Sequence, residues 1–252
     1  MLAALLVSLS AAMLHAQSSP AARPATGSIA RRSTEIKRIA RDLTIDDFME
    51  ISPKASNSRL AQIRRIVQEQ VLETLNSGGK QEDVRDAVEA LLTGLTNDEW
   101  KTGFAHAADL KGLNTMVVGY SLNSTGVLGA AVEVLGYRKG LTYELAAEIH
   151  EGGYQLMIDP VPSPRSNEVW YLDHGRIRNG GNYAEPFRLF SFDGYEFKTL
   201  WKGGGYFPKI IISKDQITIR YNASGGGGPR KLDTVLLTTS GVIASTSDEP
   251  QQ

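Results

Sequence analysis

Between Ser58 and Asn76 the apolar positions Leu60, Ile63, Val67, Val71 and Leu75 recur every three or four residues, and Ile66 and Leu72 widen the stripe. That period predicts an α-helix with one buried face. Ser77-Gly78-Gly79 supplies its stop. A second helix is expected from Gln81 to Gly94, with Val84, Ala87, Val88, Leu91 and Leu92 on one face. Asn97 is placed to cap a third over 98–109 that buries Trp100 and Phe104 and leaves His106 at the surface. Upstream, Ile36, Ile39, Ala40 and Leu43 form another apolar stripe. It lies opposite Arg31, Arg32, Lys37, Arg38 and Arg41, a run balanced by Asp42, Asp46 and Asp47 that reads as a solvated helix face. Glu69/Glu73 and Arg85/Glu89 sit at helical spacing and read as surface charge.

From Leu113 the period changes to two. Thr115–Tyr120, Ala131–Leu135, Glu168–Leu172, Phe187–Phe192, Glu196–Trp201, Lys209–Ile212, Gln216–Tyr221 and Thr234–Thr238 alternate apolar and polar positions and are punctuated by glycine. Composition follows the same division. Phe48, Trp100 and Phe104 are the aromatic residues of 17–112; the rest of the 7 Phe, 3 Trp and 9 Tyr lie beyond 112. Few aromatics suit helices, whereas many aromatics with many glycines suit strands and turns. The expected class is α+β: a small helical bundle over 31–112, then an antiparallel all-β module over 113–245. A flexible leader at 17–30 and a disordered tail at 246–252 flank them.

The β part repeats itself. Hairpin turns at Lys139-Gly140, Asp193-Gly194 and Ser240-Gly241 each join two alternating strands, and each pair follows a strand and a Gly-rich loop. A spacing of about 50 residues with four strands per unit resembles β-propeller blades over 113–245, in style rather than as a named family. Three units fall short of the roughly four to eight blades that close a ring. The repeat therefore closes as a sandwich or barrel, pairs with a second copy as a homodimer, or has its edge covered by the helices.

Residues 1–16 contain no charged residue and end in small residues before Gln17-Ser18-Ser19-Pro20. They read as a secretory signal cleaved after Ala16, too short to span a bilayer, and no later segment reads as a span. With no cysteine, export to a bacterial periplasm or exterior fits better than a disulfide-built secreted domain. Zero cysteine also excludes thiolate catalysis, zinc fingers and iron–sulfur clusters. The 27 basic and 28 acidic residues leave a net charge of −1, which argues against a dedicated nucleic-acid partner.

Local motifs for catalysis are missing. His150-Glu151 lacks the second histidine of a zinc-peptidase pair, and there is no Gly-x-Ser-x-Gly elbow. Gly225–Gly228 is followed by Pro229-Arg230-Lys231, which is not a phosphate loop. Asp173 and His174, adjacent on a strand, point to opposite faces and cannot form an orienting pair. Glu144 and Glu148 read as the wet face of a strand. No metal or cofactor is implied. Aromatics beside Gly-rich loops are the better lead, because rings at loop mouths stack on sugars or anchor a partner. Trp201 and Phe207 are expected to fill the β core. Tyr183, Tyr206, Trp170 and His174 are the candidate ligand contacts.

The expected function is an exported, non-catalytic binding or assembly protein of the bacterial envelope that recognises a protein or glycan partner through its β module. The alternatives are an envelope hydrolase with loop-borne carboxylates and a β-barrel carrier of a small apolar ligand.

Overall fold

The computed structural model describes residues 26–43, 58–95, 103–123, 130–152, 157–175, 177–179, 182–225 and 228–249. Among the described residues three helices come first: α1 (Thr26–Arg41), α2 (Arg59–Asn76) and α3 (Gln81–Leu92). Ser58 caps α2 by accepting a hydrogen bond from Ala61 N at 3.1 Å, and Gly78 (φ 84°) turns the chain out of it. The apolar stripes of all three helices are buried together, with Ile36, Ile63, Val67, Val71, Val88 and Leu91 fully enclosed. The cations Arg31, Lys37, Arg38 and Arg41 lie on the exposed face of α1, as their sequence context implies.

Twelve strands of the described residues follow in two antiparallel sheets. The first is a meander of β1 (Gly103–Leu110), β2 (Leu113–Asn123), β3 (Ala130–Lys139) and β4 (Tyr143–Gly152). Both of its faces are covered. Met116, Val118, Tyr120, Leu135 and Tyr137 pack against the helices. Val117, Val132 and Val134 pack against Tyr171, Phe190 and Phe192 of the second sheet. Gly136 permits the closest approach there, since a Cβ on it would stand 2.6 Å from the Phe192 ring.

The second sheet comprises β5 (Met157–Val161), β6 (Val169–His174), β7 (Ile177–Asn179), β8 (Asn182–Phe192), β9 (Phe197–Ile212), β10 (Gln216–Asn222), β11 (Arg230–Thr238) and β12 (Gly241–Asp248). Its path runs β12-β11-β10-β9-β8-β6-β5, with β7 paired to β8. β9 belongs to two halves. Phe197–Tyr206 pairs with β8, and Tyr206–Ile212 pairs with β10. The sheet folds over at this strand. A Cβ on Gly203 of β9 would lie 3.5 Å from an Asp233 carboxylate oxygen, although β11 is two strands away in pairing order. Arg165, in the β5–β6 connection, donates from Nε to Thr239 O at 2.8 Å and so ties one end of the sheet to the β11–β12 turn. Trp170, Leu172, Phe187, Leu189, Ile217, Ile219, Val235 and Leu237 fill the space between the halves.

The chain is thus an α+β protein with N-terminal helices and an antiparallel all-β domain. Several expectations need correction. Residues 103–109 are strand, not helix: Lys111 (φ 55°) and Gly112 (φ 90°) form a two-residue turn that pairs Leu110 with Leu113. Trp100 lies outside the described residues, as do 1–25, so the signal segment carries no structural account. The leader ends earlier than expected, because α1 starts at Thr26. The tail is strand as far as Asp248, paired with Lys231 across β11. The strands expected at Glu196–Trp201 and Lys209–Ile212 are one continuous strand, β9. The second and third repeat units therefore share one sheet, and the described strands do not separate into three four-stranded blades.

Candidate functional site

The glycines of β9 carry an aromatic shelf. Side chains alternate along a strand, so 201, 203 and 205 share one face. A Cβ on Gly203 would be 2.6 Å from the Trp201 indole, and one on Gly205 would be 2.0 Å from the Tyr221 ring. Both rings thus occupy the space where a side chain of the strand would stand, which only glycine permits. Phe187 stacks on Trp201 at 6.5 Å between centroids with planes 3° apart, and meets Tyr221 at 6.3 Å. Phe187 is buried, while Trp201 and Tyr221 are half-buried.

A carboxylate sits at the end of this shelf. Asp233 of β11 is 4% exposed. It accepts from Tyr221 Oη at 3.2 Å and Thr246 Oγ1 at 2.7 Å. Burial, reinforced by the charge of Asp233 and by that hydrogen bond, raises the Tyr221 pKa, so the phenol stays a donor. Glu185 of β8, also buried, pairs with Gly205 across the strands and is two residues from Phe187. Two buried carboxyl groups and three rings therefore gather round Gly203–Gly205. Neither acid was legible as a site residue in the sequence. The signal available was the run Gly203-Gly204-Gly205 inside an otherwise alternating strand, which marks a bend or close approach.

His174 is the cross-strand partner of Phe187 and shares its side of the sheet. Its Nε2 lies 3.1 Å from Asp159, and its Nδ1 has no hydrogen-bond partner among the described residues. Asp173 turns the other way and binds Arg188, so the adjacent pair divides as the strand geometry requires. Trp170 is on the same face as His174 but is 1% exposed, inside the core, with Arg165 5.9 Å above its ring. Tyr206 is not in a loop. It lies in β9, half-buried, opposite Ala184 and Asn222. Tyr183 is the neighbour of Ala184 on β8 and pairs with Arg178; its side chain is outside the described residues. The structure so brings the backbones of Tyr183 and Tyr206 to adjacent strands, and places Trp170 and His174 along β6.

Phe207 departs from its expected place in the core. It is 58% exposed, with φ at 52°. Two residues of β9, Phe207 and Pro208, oppose Tyr221 alone, which makes this a β-bulge. A left-handed aromatic residue before proline is strained, and such strain gathers at functional surfaces.

A second polar cluster joins the helices to the first sheet. Glu133 of β3 faces the helices and is 2% exposed. Arg64 of α2 binds it through two hydrogen bonds of 2.9 Å. His150, its cross-strand partner on β4, binds the same carboxylate through Nδ1. Glu148 lies 3.3 Å from His150 Nε2, outside hydrogen-bond geometry, and accepts from Gln68 at 3.1 Å. Burial lowers the His150 pKa, but the hydrogen bond and charge of Glu133, with Glu148, outweigh burial and Arg64, so the net shift is upward. His106 is not at the surface of a helix. It lies half-buried between the two sheets, 2.9 Å from Tyr171 Oη, and burial lowers its pKa.

No group of three or more metal-ligating side chains occurs among the described residues, and none of their helices is long and apolar enough to cross a membrane. Comparison with known proteins finds no matching family model and no matching curated relative.

Proposed function

We propose that this chain is an exported binding protein of the bacterial envelope that takes a glycan on the aromatic shelf of β9. The observation that carries the reading is the pair of half-buried rings, Trp201 and Tyr221, packed against Gly203 and Gly205 beside the buried Asp233. A sugar offers apolar C–H faces to aromatic rings and hydroxyl groups to a carboxylate. Asp233 already has two donors, leaving acceptor capacity on its second oxygen, which is the atom nearest Gly203. A protein partner would be expected to use a larger apolar surface than these two rings present.

The test is titration with soluble oligosaccharides, N-acetylglucosamine oligomers first, followed by intrinsic tryptophan fluorescence. Trp170 is enclosed, so a saturable change lost in Trp201→Ala and weakened in Asp233→Asn supports the reading. No saturable change with any neutral or amino-sugar oligomer at millimolar concentration rejects it.

A second reading has its own observation. Glu185 and Asp233 are both buried beside the shelf, and paired carboxyl groups perform glycoside hydrolysis. Release of reducing ends from the same oligomers, abolished in Glu185→Gln or Asp233→Asn, would replace binding by turnover.

A further inference from the structure

Among the described residues, the β1, β4 and β5 edges of the two sheets are protected against pairing, and the β12 edge is not. At the β1 edge, Ala107 N–H is capped by Gln81 Oε1 of α3 at 2.9 Å. At the β4 edge, Asn76 at the end of α2 accepts from Tyr143 N at 2.7 Å and donates to Tyr143 O at 3.4 Å. The β5 edge is five residues long and contains Pro160. Among the described residues β12 has none of these devices, although part of it approaches β9. It runs Gly-Val-Ile-Ala-Ser-Thr-Ser-Asp with no proline or basic residue, and it is exposed from Ile243 onward. Native proteins manage their edges, and a regular strand with no charge over its first seven residues is a template for another strand.

We propose that β12 pairs with β12 of a second copy of this chain, antiparallel about a two-fold axis at Ile243, to give a homodimer with one continuous sheet. Three features of β12 select a second copy.

The first is the ladder. The two-residue turn Thr239-Ser240 makes Thr238 and Gly241 a hydrogen-bonded pair, so the N–H groups of Val242, Ala244 and Thr246 point away from β11. Symmetry about Ile243 sets Val242 opposite Ala244, which joins outward groups to outward groups in both copies.

The second is the apolar surface. Ile243 is 60% exposed and Leu236, its partner across β11, is 41% exposed. They lie on one face at the edge itself. The two-fold brings Ile243 beside its own image and builds a row of Leu236, Ile243, Ile243 and Leu236 across the seam. Cross-strand pairs of β-branched residues are the stabilising unit of such a sheet, and self-complementarity is what a two-fold interface requires.

The third is charge. Asp248 is the one charged residue of β12, at its far end. The two-fold separates the two copies of Asp248 and carries each past the other copy's β11–β12 turn. Arg165 stands at that turn, bonded to Thr239 O and paired with Glu168, while Asp248 is paired with Lys231. The two-fold thus keeps like charges apart and sets no unpaired charge against the seam.

The test uses the purified chain, which has no cysteine of its own. Light scattering behind size exclusion should give the mass of a dimer. Ala244→Pro removes an outward N–H and leaves the β11 ladder intact, so this variant should be monomeric with an unchanged circular dichroism spectrum. Ile243→Cys should form an intermolecular disulfide on mild oxidation at micromolar concentration, because the two sulfurs would meet on the axis. If Ala244→Pro fails to fold, the Ile243→Cys cross-link decides alone. A chain that stays monomeric up to hundreds of micromolar overturns the proposal. So does a dimer that Ala244→Pro leaves intact while Ile243→Cys gives no cross-link. A monomer with its outward β12 amides protected from hydrogen exchange means that the chain covers its own edge, and overturns it equally.

Discussion

Arg64 and Glu133 meet through two parallel hydrogen bonds of 2.9 Å, Nε to Oε2 and Nη2 to Oε1, between helix α2 and strand β3. The contact is one of several polar ties, with Gln68–Glu148 and Asn76–Tyr143, in a mainly apolar layer where Val118, Tyr120, Leu135 and Val67 pack. Burial costs the guanidinium part of its proton affinity, but the bond and charge of Glu133 more than restore it, and its pKa rises. Removing Arg64 leaves buried Glu133 with His150 alone. Arg64→Met should therefore cost about 3 kcal/mol in urea unfolding. The triple variant Arg64→Met/Glu133→Leu/His150→Leu should recover most of that loss, because it leaves no member of the cluster buried without its partner. Equal losses in the single and triple variants would show that the cluster does not couple.

Two histidines give the stability curve opposite slopes on its two sides. His150 has a folded pKa above its unfolded value of about 6.5. Its contribution is full below about pH 6.5 and is lost as pH rises through the higher folded value. His106 has a folded pKa below its unfolded value, from burial between the sheets. Its contribution is full above about pH 6.5 and is lost as pH falls toward the lower folded value. Chemical unfolding measured from pH 5 to 9 should thus peak between these limbs. His150→Gln should flatten the alkaline limb and His106→Gln the acid limb; a limb unchanged by its own variant refutes the assignment.

The sequence made the helices and most strands plain because a helix buries one face at a regular period, and because a strand buried on both faces, such as Phe187 to Phe192, is rich in aromatic and aliphatic residues. Leu60 to Leu75 and Phe187 to Phe192 are legible without any tertiary knowledge. Glu133 was not legible. In Ala131-Val-Glu-Val-Leu135 it reads as the wet side of a half-buried strand, and it is buried only because helices cover one face of the sheet while β6 and β8 cover the other. Residues 103–110 failed for a related reason. Phe104, His106 and Ala108 alternate, but the run is short, and the Lys111-Gly112 turn that defines it asks a lysine to take positive φ. The site residues split likewise. His174 and Trp170 share the shelf side of the sheet, and both are buried, Trp170 in the core. Asp233 becomes a neighbour of the shelf only once the sheet folds over at β9, and Glu185 only through its register with Gly205 across β8 and β9.

The three glycines of β9 are not equivalent. A Cβ on Gly205 would stand 2.0 Å from the Tyr221 ring, and one on Gly203 would stand 2.6 Å from Trp201. A Cβ on Gly204 would meet Glu185 O at 3.4 Å and Pro186 at 3.6 Å, close to ordinary contact. Gly205→Ala should lift Tyr221 away from Asp233 and cost on the order of 2 kcal/mol by overpacking. Gly204→Ala should change the melting temperature little. Reversal of that order would show that the rings do not lie on the strand.

Phe207 supplies the sharpest test of whether strain in β9 serves binding. Its φ of 52° is a conformation that asparagine tolerates far better than an aromatic residue, and the side chain is largely in solvent. Little packing is therefore lost on replacement. Phe207→Asn should raise stability, by roughly 1 kcal/mol, as the left-handed strain is relieved. If the exposed ring is part of the surface that meets a ligand, the same variant should weaken oligosaccharide binding while the fold becomes more stable. Such opposite movement separates a functional residue from a structural one, since a core residue would lose both together. A variant more stable and unchanged in binding would confine the contact surface to Trp201 and Tyr221.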